Sequence, residues 1–129
     1  MLKKIITYTN YDGEKKTKEA YFNLNKIEVV KMNVEASGGM KKLLEKIVAE
    51  NDIQNMWNYF EKVVDLSYGE KSLDGDRFIK DAALTKAFKE TEAYVELMME
   101  LLGDAKKAAE FMNAVLPQVD NVPSENANA

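Results

Sequence analysis

The spacing of apolar and polar positions changes several times along the chain, and each change marks an element. Lys3 to Thr9 is rich in β-branched and aromatic residues (Ile5, Ile6, Thr7, Tyr8, Thr9), which suits a strand. Asn10-Tyr11-Asp12-Gly13 follows, and Asp-Gly at such a place predicts a hairpin turn. The return arm, Glu14 to Phe22, is more polar and ends on Ala20-Tyr21-Phe22. The pattern predicts a two-stranded hairpin over about residues 3–22. An isolated hairpin is marginal in water, so this one needs a helical platform or a strand from another chain.

From Leu24 onward the period becomes helical. Asn25 is placed to cap a short helix carrying Ile27, Val29, Val30 and Met32, and Ala36-Ser37-Gly38-Gly39 breaks it. Met40, Leu43, Leu44, Ile47 and Val48 form the next stripe. Asn51-Asp52 restarts the pattern. Ile53, Met56, Trp57, Phe60, Val63 and Val64 then make the clearest apolar stripe, which places Trp57 in the core. Tyr68-Gly69 closes that helix, with Gly69 in the C′ position. Glu70 to Asp76 reads as a loop and Phe78-Ile79 as a brief apolar return. Asp81 caps a helix through Leu84 and Phe88, and Thr91 caps one with the stripe Tyr94, Leu97, Met98, Leu101 and Leu102. Gly103 stops it, Asp104 caps a last helix from Ala105 to Leu116, and Pro117 ends that one. The expected fold is α+β and mainly helical, a hairpin packed on a bundle of five to six helices. Residues 1–117 read as a single domain, and 118–129, built of Asn, Ser, Pro and small residues, as a disordered tail.

Composition narrows the chemistry. At 129 residues there is chain enough for one real core. Cysteine and histidine are both absent, which removes thiol nucleophiles, thiolate and imidazole metal ligands, and the commonest general base. The net charge of −4 is unevenly spread. Through Lys31, seven lysines stand against Asp12, Glu14, Glu19 and Glu28, giving +3, so the remainder carries −7. An acidic chain with one arginine, Arg77, is a poor match for nucleic acid, although the basic hairpin keeps that option open. No run of eighteen apolar residues predicts a membrane span, and the basic-then-apolar start never develops a signal-peptide core.

Each candidate site has a plainer reading beside it. Asp74-Gly75-Asp76 suggests calcium, but Phe78 and Lys80 would fall at ligand positions, so a solvated turn fits better. Glu92, Glu96 and Glu100 repeat every four residues, as the wet face of a helix does. Ser37-Gly38-Gly39-Met40-Lys41 lacks the spacing of a phosphate loop. No catalytic set, metal site or cofactor is expected. Met98 and Met99 point about 100° apart on one helix, so Met99 is a candidate for an exposed, adaptable contact.

Several segments, in this order, resemble a known family: Ala20-Tyr21-Phe22-Asn23-Leu24, Ser67-Tyr68-Gly69-Glu70-Lys71-Ser72, Asp74-Gly75, Arg77-Phe78-Ile79-Lys80, Phe88 through Tyr94, Ala108 through Asn113, and Leu116-Pro117. The chain resembles the tail assembly chaperones of long-tailed phages of Gram-positive hosts. The resemblance implies a non-catalytic protein that binds the tape-measure protein, with the tail-tube protein as a further partner. It implies a chaperone that keeps the tape-measure protein soluble while the tube assembles, in the host cytoplasm and outside the mature virion. It also implies self-association, for which the hairpin edge is a candidate. The residues expected to grip a partner are Tyr68, Phe78, Tyr94, Met98, Met99, Phe111 and Met112. The rival reading is a small phage regulatory or nucleic-acid-associated protein acting through the basic hairpin.

Overall fold

The computed structural model describes residues 1–35 and 39–117. The expected break at Ala36-Ser37-Gly38 and the tail from Gln118 lie outside the described residues. The fold is mainly helical α+β. Strands β1 (Leu2–Thr9) and β2 (Lys15–Phe22) form the hairpin, paired from Leu2↔Phe22 to Thr9↔Lys15. Its tip is closed by Asn10, whose side-chain oxygen accepts from the backbone N–H of Asp12 at 3.0 Å and of Glu14 at 2.9 Å. Gly13 takes φ 80, the left-handed conformation that Asp-Gly anticipates.

Helices α1 (Lys26–Glu35), α2 (Met40–Ala49) and α3 (Ile53–Ser67) follow. Asn25 and Glu28 cap α1 reciprocally: the Asn25 side chain accepts from Glu28 N at 2.8 Å, and Glu28 Oε1 accepts from Asn25 N at 2.9 Å. Asp52 caps α3 through Asn55 N. Beyond β3 (Tyr68–Lys71) and β4 (Phe78–Ile79) come α4 (Ala82–Lys89), α5 (Glu92–Gly103) and α6 (Ala105–Val115). Asp81, Thr91 and Asp104 cap these three helices as the sequence predicts.

The loop after α3 departs from expectation. Residues 68–79 form a second hairpin that joins the first in one four-stranded antiparallel sheet, in the order β1-β2-β3-β4. Tyr21 pairs with Gly69 and Phe22 with Tyr68. Gly69 is therefore a strand residue rather than a C′ glycine. The absence of a side chain there matters for a different reason. A Cβ on Gly69 would lie 2.7 Å from the Ile79 carbonyl oxygen and 2.7 Å from the Phe78 ring. The strand can cross beneath that ring only as glycine.

One core joins the sheet to the helices. Phe22, fully buried, meets Tyr68, Phe88 and Phe111 edge-on at 5.6, 6.0 and 5.3 Å between ring centroids. The chain leaving β2 is bonded on both sides: Asn23 N donates to Ser67 O at 2.8 Å and Leu24 N to Val115 O at 3.2 Å. The junction Phe22-Asn23-Leu24 thus ties the sheet to the ends of α3 and α6. A side-chain bridge adds a third tie. Lys80 Nζ donates to both Glu28 carboxylate oxygens, at 2.7 and 2.8 Å, and to Leu66 O at 2.7 Å. All three ammonium protons are used. The positive charge sits at the C-terminal end of α3, and its carboxylate partner at the N-terminal end of α1, the favourable arrangement for both helix dipoles.

Gly69→Ala should cost about 1–3 kcal/mol of unfolding free energy, because Phe78 and the β4 backbone must move to admit the methyl group. Denaturant unfolding midpoints measure this directly. Gly103→Ala is the control, since nothing lies near the space its Cβ would occupy.

Candidate partner-binding surface

The seven residues expected to grip a partner divide sharply by burial. Tyr68 stacks on Phe88 with centroids 4.3 Å apart, Tyr94 meets Phe88 edge-on at 5.8 Å, and Phe111 meets Phe22. Met98 and Met112 are buried with them. These five build the core and offer no surface in this fold. Their helical stripes face inward, and pairing of β3 with β2 turns Tyr68 in as well. Phe78 and Met99 remain accessible. Phe78 is half-buried over Gly69, with Lys80 Nζ 5.8 Å from its ring centroid. Met99 is 63% exposed on the outer face of α5.

Trp57 also departs from expectation. It is 38% exposed, beside Ile53 at 55% on the same α3 face. Met56, Tyr59, Phe60, Val63 and Val64 are the residues of α3 that reach the core. The six-residue stripe was wider than one buried face, and its N-terminal positions run past the part of α3 that the other elements cover. Similar apolar pairs appear at Ile27 and Val34 on α1 and at Val95 and Met99 on α5. The signal for the α5 pair is present in the sequence: Val95 and Met99 lie off the Tyr94–Leu97–Met98–Leu101 stripe.

Two grooves accompany these faces. One, of about 570 Å³, lies among α1, α3 and α4 and is lined by Glu28, Asp65, Lys80, Asp81 and Lys89, among others. Its charges are already matched. Lys80 is held by Glu28, and Lys89 by Asp65 at 3.0 Å and Glu61 at 3.5 Å. Burial opposes the Lys89 ammonium, but these carboxylates outweigh it and raise its pKa, the wrong direction for a lysine nucleophile. The second groove, of about 390 Å³, runs between α2 and α3 over Met40, Leu43, Ile47 and Tyr59. There the Tyr59 hydroxyl donates to Met40 O at 3.1 Å, and burial raises the phenol's pKa.

The acidic loop 72–76 is a turn. Asp74 accepts from the Ser72 hydroxyl and from Asp76 N, and these bonds hold its carboxyl below the usual range. Among the described residues, no group of three acidic side chains is placed to hold a metal ion, and no helix is long and apolar enough to cross a membrane. In the basic hairpin, Lys3 pairs with Glu19 at 3.2 Å and Lys4 with Glu100 at 2.9 Å.

A family model described as phage tail assembly chaperone matches residues 1–124. The chain belongs to the phage tail assembly chaperone family. Curated proteins and solved structures give no match.

The chaperone's single tryptophan supplies a probe of the α3 face. Trp57 emission should be red-shifted in the folded state and quenched by added acrylamide. Trp57→Ala should cost under about 1 kcal/mol, against about 3–5 kcal/mol for Phe60→Ala one turn further into the core. Unfolding midpoints of the two variants check the contrast.

Proposed function

We propose that this chaperone binds the tape-measure protein and keeps it soluble while the tail tube assembles, without catalysis, in the host cytoplasm and outside the finished virion. The tail-tube protein is a further partner in this reading. The observation that carries the proposal is the Ile53–Trp57 face of α3, two large apolar side chains one helical turn apart that stay partly exposed among the described residues. A tape-measure protein is long and helical, and its apolar stripes aggregate when bare. Such a stripe fits an apolar i, i+4 pair by ordinary helix-on-helix packing, with tryptophan as the anchor. The nucleic-acid reading has less support. Two lysines of the basic hairpin already hold carboxylates, which reduces the charge free to meet phosphate.

Co-expression with tape-measure fragments tests the proposal. The fragments should be insoluble alone, soluble with the chaperone, and recovered with it on purification. The pair Ile53→Asp and Trp57→Asp should cut the recovered complex by about tenfold or more while leaving the chaperone folded. Fragments that stay insoluble beside the wild-type chaperone, or that bind the variant equally well, would count against it.

A further inference from the structure

Helix α5 carries Glu92, Glu96 and Glu100 and no basic residue, while α2 carries Lys41, Lys42 and Lys46 against Glu45 alone. On α5 the charge lies beside an uncovered apolar pair. Val95 and Met99 are exposed one turn apart, and Glu92 and Glu96 flank them with the same four-residue repeat. On α2 the pattern is matched with opposite sign. Leu43, partly exposed, and Ile47 beneath it repeat at four residues along the α2–α3 groove; Lys42 and Lys46 flank them, with Glu45 between these lysines in sequence and Glu50 at the end of the helix. Among the described residues Glu96, Lys42 and Lys46 have no ion-pair partner, whereas Glu100 is taken by Lys4.

We propose that α5 of one copy docks along the α2–α3 groove of a second copy of this chain. Val95 and Met99 then cover Leu43 and the groove floor, and Glu92 and Glu96 face Lys42 and Lys46 across the seam. Apolar side chains meet apolar side chains and the unpaired Glu96 meets unpaired lysines, while Glu92, which also interacts with Tyr11, adds to the same side; one contact thus removes exposed apolar surface and unpaired charge from both helices. Made reciprocally, the contact closes a two-fold pair. The inference is independent of tape-measure binding. Ile53 and Trp57 lie on a different side of α3 from the groove residues Asn55, Asn58, Tyr59 and Lys62, and stay open in the pair.

Light scattering on the purified chain alone tests this at two salt concentrations. The wild type should show a mass above the single-chain 14.6 kDa, falling as salt rises. The double variants Glu92→Lys with Glu96→Lys, and Lys42→Glu with Lys46→Glu, should each associate at least about tenfold more weakly. An equal mixture of the two should regain the larger mass, because each supplies the charge the other has lost. Met99→Gln and Leu43→Gln form a second pair that tests the apolar contact without changing charge, and circular dichroism shows which variants keep the fold. A wild-type chain of single mass at about 100 μM would overturn the proposal. So would association unchanged in all the variants, which would place the contact elsewhere, such as the β1 edge. A mixture of folded charge variants that fails to reassociate would overturn it too.

Discussion

Phe22 holds the two layers of this molecule together. It belongs to β2, yet its ring is enclosed by Tyr68 from β3, Phe88 from α4 and Phe111 from α6. Tyr68 and Phe88 stack on each other beside it, and Tyr94 closes the cluster from α5. Sheet and helices therefore share one aromatic centre, and each ring is fixed by its neighbours rather than by its own element. The backbone bonds of Asn23 and Leu24 keep the chain from leaving that centre at any other angle. Residues so enclosed are costly to move, because each shift opens a cavity or breaks several ring contacts.

That constraint explains which parts of the structure were legible in the sequence. The capping residues Asn25, Asp52, Asp81, Thr91 and Asp104 act within three residues of themselves, so their roles can be read locally. The hairpin of β1 and β2 is local in the same sense. The pairing of Tyr21 with Gly69 is not, and nothing near Gly69 distinguishes a glycine after a helix from one lying under an aromatic ring. The candidate site divides by burial for a related reason. Tyr68, Tyr94, Met98, Phe111 and Met112 are large and apolar, as a partner contact would be, but those are also the properties of core residues. Trp57 shows the converse: its stripe was real, but burial depends on where neighbouring elements end, and periodicity does not carry that information.

Electrostatics follows the same division between inside and outside. The charges nearest the core are used to join elements. Lys80 links α1 to the end of α3, Lys89 links α4 to α3, and Lys4 links β1 to α5. The raised pKa of Lys89 and the matched carboxylates around it describe a structural tie. Among the charges without an ion pair, Lys42 and Lys46 on α2 and Glu96 on α5 have opposite signs and lie beside exposed apolar residues.

The central claim is that a partner meets the outer helix faces while the Phe22 cluster stays closed. Amide hydrogen exchange on the chaperone, free and bound to a tape-measure segment, tests it most directly. The account predicts added protection in the first turns of α3, around Ile53 and Trp57, with the amides of Phe22, Tyr68 and Phe111 unchanged. Loss of protection around Phe22, Tyr68 and Tyr94 on binding, with no change along α3, would show that the partner enters by opening the core and would contradict it.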